Sequence, residues 1–382
     1  MVIKDKPIPL VDLKAQYLSI KQEIDASIQQ ILDNTSFIMG KPLEQFEKNL
    51  AGFCGCKHAV GVSSGTSALF LALKTYELQP GDEVITVPNS FIATAEAIIH
   101  CGATPVFVDV DEKTMLMDVN KIEEKINAKT KGIIPVHLYG QVGEMDTILV
   151  IAQKHNLFVL EDAAQSIDAE YKGRKLPIGE TAIFSFFPAK NLGGYGDGGA
   201  VVTNNLEIAK NVAKLRDHGR INKYEHDLIG YGERLDALQA AILDVKLKYL
   251  NNWTMKRREH AYKYNNLLDN IKNVVLPVEH NLAKHVYYMY VVRARERDQL
   301  ISFLKSKGIA SGIHYPIPLH LQPALKYLGY KIGDFPIAEK AATEIISLPM
   351  FPELNDEEIK FICNHVKDFY EQSTENNNEL KK

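Results

Sequence analysis

Short apolar runs punctuate the first half of this chain, and each gives way to small, polar or charged residues before a segment with helical spacing begins. His58–Val62 (HAVGV), 82–88 (DEVITVP), 104–110 (TPVFVDV), 132–140 (GIIPVHLYG) and 157–165 (LFVLEDAAQ) read as strands. Between them, the stretch after Ser67, Phe91 to His100, Val119 to Ile126 and Met145 to His155 carry apolar residues at helical spacing. Strands apolar along their whole length and alternating with helices predict an α/β fold, a mostly parallel sheet covered on both faces. Two more strand-like runs follow, TAIFSFF from Thr181 and GAVVT from Gly199. Ahead of the sheet, Leu13 to Leu32 repeats Leu18, Ile24, Ile28 and Ile31 as one helix, and Pro42 to Phe53 reads as a second, opened by its proline.

Beyond Thr203 the pattern changes. Leu206 to Arg216 is helical, 215–236 is polar and punctuated by glycine, and Leu238 to Leu268 keeps helical periodicity with alternating charge. From about Ile271 the order is strand (285–294), helix (296–308), strand (ASGIHYP, 310–316), a proline-rich loop (317–324) and a last helix after Asn355. This predicts a large α/β domain over residues 1–250 and a smaller α+β domain over 251–382, with residues 372–382 as a frayed polar tail.

Composition narrows the function. At 382 residues, 46% hydrophobic, 24% charged and a formal net charge of -4, the chain has no basic excess for nucleic acid. It holds no apolar run of signal or membrane-spanning length, which predicts a cytoplasmic protein. Four cysteines are too few for a disulfide framework, and Cys54, Cys56 and His58 lack the second ligand cluster of a zinc site, so no metal is expected.

The chemistry concentrates between Leu157 and Thr203. One strand ends in Asp162, and the next leads through Ser185, Phe186, Phe187 and Pro188 to Lys190. In such sheets ligands collect at the carboxyl ends of strands. A lysine poorly solvated among aromatic residues is pushed toward the neutral amine that a Schiff base requires, and a carboxylate at the same rim can keep a pyridine nitrogen protonated. Lys190 and Asp162 therefore suggest a pyridoxal phosphate enzyme. Ser63, Ser64, Gly65, Thr66 and Ser67 open a helix whose first N–H groups suit a phosphate, although they also suit an ordinary cap. Asp109 and His137 lie at strand ends too, as site residues or as structural ones. Gly194, Gly196 and Gly199 match G-x-G-x-x-G, but they follow a lysine and precede a strand, which rules out the dinucleotide fingerprint. They point instead to close approach of backbone to a cofactor or a partner chain.

Together GVSSGTSALFLAL, EDAAQS, SFFPAKNLGGYGDGGAVVTN, RLDALQAAIL and HYPIPLHLQPA resemble the DegT/DnrJ/EryC1/StrS sugar aminotransferases, of pyridoxal phosphate fold type I, across nearly the whole chain. The resemblance implies Lys190 as the Schiff-base lysine and proton shuttle, Asp162 at the pyridinium nitrogen and Gln165 at the ring hydroxyl. It also implies Phe91 stacked on the ring and Gly65, Thr66 and Ser185 at the phosphate. Sugar-dehydrating relatives carry histidine where Lys190 stands, so lysine favours amino transfer. The implied reaction moves nitrogen from glutamate to the C3 ketone of a nucleotide-linked sugar, a dTDP-3-keto-6-deoxyhexose or a UDP-3-keto uronic acid, in amino-sugar and O-antigen synthesis. C4 amination, a keto-cyclitol acceptor and a non-catalytic regulatory relative are the alternatives. A homodimer with shared active sites is implied, with Arg234, His314, Tyr315 and His320 near the substrate. One departure is Gly232, where the family usually places an asparagine that reaches the neighbouring subunit's phosphate.

Overall fold

A computed structural model describes residues 7–379, with side chains to Glu371. Three helices come first, α1 (Leu13–Ser19), α2 (Lys21–Asp33) and α3 (Lys41–Cys54). The α/β part then runs β1 (His58–Val62), α4 (Gly65–Lys74), β2 (Glu83–Thr86), α5 (Ala93–His100), β3 (Thr104–Phe107), β4 (Thr130–Ile133), α6 (Met145–His155) and β5 (Phe158–Asp162). A short hairpin, β6 (Glu170–Tyr171) and β7 (Arg174–Lys175), precedes β8 (Thr181–Ser185) and β9 (Gly199–Thr203). There follow α7 (Leu206–Leu215), α8 (Ala237–Leu247), α9 (Leu250–Leu268), β10 (Val274–Val275), β11 (Ala283–Lys284), β12 (Tyr290–Ala294) and α10 (Arg297–Ser306). The chain closes with α11 (Pro336–Glu344), β13 (Ile345–Leu348) and α12 (Asp356–Glu379).

Seven strands make the main sheet in the order β1-β9-β8-β5-β4-β2-β3. The pairs from β8 to β3 are parallel, whereas β9 runs antiparallel to both β1 and β8. Alternate residues along each strand enter different cores: Ala182, Phe184, Ala200 and Val202 pack on one face, and Ile183, Val201, Leu160 and Val60 on the other. Burial on both faces explains why these strands read as unbroken apolar runs. A smaller sheet, β10-β12-β13, has its own core with α9, α10 and α12, which Ile8 also enters from the chain's beginning. Among the described residues no helix is long and apolar enough to cross a membrane.

The outline follows the sequence pattern, with local departures. The helix expected from Leu13 to Leu32 breaks at Ile20, whose backbone leaves the helical region (φ -128°, ψ 20°) and whose N–H bonds the Tyr17 carbonyl three residues back. That expected from Val119 to Ile126 is two single 3₁₀ turns, because Asp118 accepts from Asn120 and the segment is too short to nucleate. The Leu238 to Leu268 helix tightens near Lys248, where N–H groups bond three residues back, and becomes α8 and α9. ASGIHYP is not a strand. Among the described residues its ladder contacts are isolated, Ala310 donating to Ile8 and Gly312 pairing with Ser347, since Pro316 cannot donate to a ladder, and β13 supplies that edge instead. The polar tail continues α12 in backbone to Glu379, and residues 380–382 lie outside the described residues.

Two strand-end residues prove structural. His137 is fully buried, its Nε2 3.0 Å from Glu161, which also accepts from Ile178 and Gly179. Buried Asp109 accepts from Val110, Ile337 and Ala338, satisfying the opening N–H groups of α11. Replacing Asp109 by alanine should cost about 2 kcal/mol in urea unfolding, since buried donors lose their acceptor. An unchanged urea midpoint would contradict the capping role.

Candidate active site

The carboxyl rim of the sheet surrounds a cavity of about 400 Å³. Gly65, Thr66, Phe91, Asp162, Gln165, Ser185, Lys190, His314 and Tyr315 all line it. Register explains the convergence. Asp162 pairs with Ile183 one strand away, and Ser185 pairs with Gly199, which also faces Val62 at the end of β1.

The N-terminus of α4 forms one end. Ser64 caps it by accepting from Ser67, which leaves the amides of Gly65 and Thr66 at the cavity wall. A Cβ on Gly65 would stand 2.7 Å from Ser185 Cβ, so only glycine lets the helix end and the serine close around one small volume. The free amides, the serine hydroxyl and the positive end of the helix dipole suit a phosphate.

Asp162 lies across the cavity, buried at the end of β5. Its carboxylate accepts from Thr94 Oγ1 at 2.7 Å and from the Ala164 amide at 3.2 Å. Burial pushes its carboxyl above the ordinary value, opposed by those two bonds and by the nearby Lys190 and His137. A cationic ring nitrogen beside it would supply the counter-charge this buried carboxylate lacks. Gln165 is fixed at both ends of its amide, accepting from the Tyr139 N–H at 2.7 Å and donating to Tyr315 Oη at 3.3 Å. Phe91, more than half exposed, leans over the opening 5.8 Å from Tyr315.

Lys190 projects from the turn after β8, where its own N–H bonds the Phe187 carbonyl. Burial pulls its amine down to about 8, against the attraction of Asp162. His314 donates or accepts through Nδ1 with Ser347 Oγ at 2.9 Å, and burial, then Lys190, holds its imidazole down to about 4. The set of an amine, a carboxylate and an anion cradle around one cavity fits pyridoxal phosphate.

Two expected substrate residues lie elsewhere within this chain. Arg234 is outside the cavity, paired with Asp217 at 2.8 Å. His320 is buried against Phe335 and bonded to Glu339, where it braces the 333–335 turn. The glycine run also serves the chain itself: Gly194 and Gly196 pack on Gln239 of α8, and Gly199 on the Ser64 carbonyl. Thr94, Ser90, Tyr288, Met289 and Asp197 line the cavity without having been singled out from sequence. Thr94 could have been found, one helical turn after Phe91; Tyr288 sits in an apolar run with nothing to distinguish it.

Comparison with known proteins agrees with this geometry. Residues 18–367 match the DegT/DnrJ/EryC1/StrS aminotransferase family. The chain is 46% identical to a pleiotropic regulatory protein of Geobacillus stearothermophilus, over 95% of this chain and 98% of that one. It is 44% identical to a UDP-N-acetyl-3-dehydro-α-D-glucosamine 3-aminotransferase of Acidithiobacillus ferrooxidans, over 94% and 97%. The crystal structure of Streptomyces venezuelae DesV in complex with a ketimine intermediate superimposes with a TM-score of 0.94 at 39% identity, covering 95% of this chain and 98% of DesV. With its rim geometry and this similarity from end to end, the chain belongs to the DegT/DnrJ/EryC1/StrS family of pyridoxal phosphate-dependent aminotransferases.

Proposed function

We propose that this protein is an aminotransferase that uses pyridoxal 5'-phosphate to move an amino group from glutamate to the C3 ketone of a nucleotide-linked sugar. The observation that carries it is the meeting of Lys190, Asp162 and the α4 N-terminus around one cavity, in a chain similar over its length to 3-aminotransferases of such sugars. The cofactor, when bound, supplies an aldehyde that carries the amino group and a ring that withdraws electrons from the substrate carbon. Asp162 is assigned to the ring nitrogen, with Thr94 and the Ala164 amide holding the carboxylate in place. Gly65, Thr66 and Ser185 are assigned to the phosphate, Gln165 to the ring hydroxyl and Phe91 to the ring face. Lys190, with its lowered amine, would move a proton between the donor carbon and the carbon that the cofactor's aldehyde supplies, on the other side of the transferred nitrogen. His314 and Tyr315 bound the cavity where a sugar would enter.

A homodimer is part of the proposal. The segment around Arg220 to Tyr231 exposes Tyr224 and Ile229, at 83% and 93%, beside the position of Gly232. Exposed apolar side chains gathered in one loop are the mark of a contact surface. A regulatory protein is the second reading, suggested by the name of the Geobacillus relative. The intact Lys190, Asp162 and Gln165 favour catalysis.

Incubation with labelled glutamate and a panel of 3-keto and 4-keto nucleotide sugars should label the 3-keto acceptors at least tenfold faster. Preferred labelling of 4-keto sugars would overturn the C3 assignment, and no labelling of any acceptor would favour the regulatory reading. Capture of pyridoxal phosphate by cofactor-free protein needs neutral Lys190. Because burial lowers that amine from its ordinary 10.5 to about 8, the rate should rise with pH and level off near 8. A rate still climbing tenfold per pH unit above 9 would contradict the lowered amine.

A further inference from the structure

The Lys190 amine has one close neighbour that neither the cofactor nor the substrate assignment uses. Its Nζ lies over the ring of Tyr288, 4.4 Å from the centroid. The rings of aromatic side chains carry a negative face, which attracts an ammonium most strongly where water is excluded. Tyr288 is 7% exposed, and no hydrogen bond to its hydroxyl is made within the described residues, so the contact with Lys190 is through the ring.

The spacing between the two side chains is held from both sides. Arg257 donates to the carbonyls of Tyr287, Tyr288 and Met350, tying the backbone at Tyr288 to the small sheet's edge. Asn191, next to Lys190, donates to the Val286 carbonyl, which joins the lysine turn to the same segment. Val286 in turn donates to Gly140, where a Cβ would meet the Tyr288 amide at 2.9 Å. Between these ties Tyr287 adopts a left-handed backbone, φ 44°, which turns the chain immediately before Tyr288. Strained backbone of this kind persists where its surroundings over-determine it, and it gathers at functional sites.

We propose that Tyr288 is a positioning residue for Lys190: its ring face holds the amine, once protonated, at the place from which the proton is passed on. This rests on the aminotransferase assignment above. In the step concerned, the C–H bond of the donor carbon breaks, its proton passes to Lys190 Nζ, and the electron pair stays with the bound cofactor. The same proton would then leave Nζ for the carbon across the transferred nitrogen, the one the cofactor's aldehyde supplies, and the amine is neutral again. The ring face stabilises the charged form between those two transfers. Of the other titratable groups, Asp162 from β5 and His314 act on this amine through their charges, Asp197 from the glycine-rich turn and Tyr315 line the same cavity, and Arg257 lies behind the Tyr288 backbone.

The test compares Tyr288→Leu and Tyr288→Phe with the wild type. In the holoenzyme, Tyr288→Leu should lower kcat about ten- to thirtyfold with little change in KM for the sugar, while Tyr288→Phe, which keeps the ring, restores it to within about threefold. In the cofactor-free protein, acetylation of Lys190 followed by peptide mass spectrometry should reach its midpoint about one pH unit lower in Tyr288→Leu than in the wild type or Tyr288→Phe. Unchanged kcat and midpoint in a folded Tyr288→Leu would overturn the proposal. So would a tenfold loss in Tyr288→Phe, which would move the role to the hydroxyl and decides the matter even if Tyr288→Leu fails to fold. A wild-type protein that neither binds pyridoxal phosphate nor transfers nitrogen would instead remove the aminotransferase assignment.

Discussion

A side chain at position 199 would place its first carbon 2.3 Å from the Ser64 carbonyl carbon's oxygen, and one at position 65 would collide with Ser185. These two contacts are the constraint on which the site depends. They let β9 slot antiparallel between β1 and β8, so that the end of β1, the start of α4 and the end of β8 share one edge. The loop from Phe186 to Gly198 is then pinned back on its own start: Gly194 donates to Phe186, and Phe186 donates to Gly198. Lys190 sits at the middle of that loop. The anion cradle and the amine are thus positioned by the same strand pairing.

Electrostatics follows from that placement. Burial acts on the two charged groups in opposite directions, pulling the Lys190 amine down to about 8 and pushing the Asp162 carboxyl up, while each favours the other's charge. Among the described residues neither is neutralised by a close salt bridge, and each has instead a neutral partner, Thr94 for the acid and the Tyr288 ring for the amine. A pair left this way can respond to a charged ligand, which a tightly matched ion pair would resist.

Much of this was legible in the sequence because a parallel sheet buried on both faces writes itself as apolar runs, and its chemistry falls where those runs stop. Asp162, Lys190 and the glycine and hydroxyl cluster before α4 were found on that ground. Their family resemblance supplied Gln165 and Phe91, which line the same cavity. What could not be read depends on contacts distant in the chain. His320 looks like a ligand in a loop of prolines, but Glu339 and Phe335 enclose it; Arg234 looks free, but Asp217 holds it. The strand Ile345–Leu348 was missed because its pairing partner, β12, lies half a hundred residues away with two helices between. Tyr288 reaches Lys190 only because Arg257 and Asn191 bring two remote segments together.

The central claim is that the amine of Lys190, and no other in the chain, holds the cofactor. Protein loaded with pyridoxal phosphate, reduced with borohydride and mapped by peptide mass spectrometry should carry the cofactor's mass on Lys190 alone. The mass on a different lysine, or on none, would contradict the account.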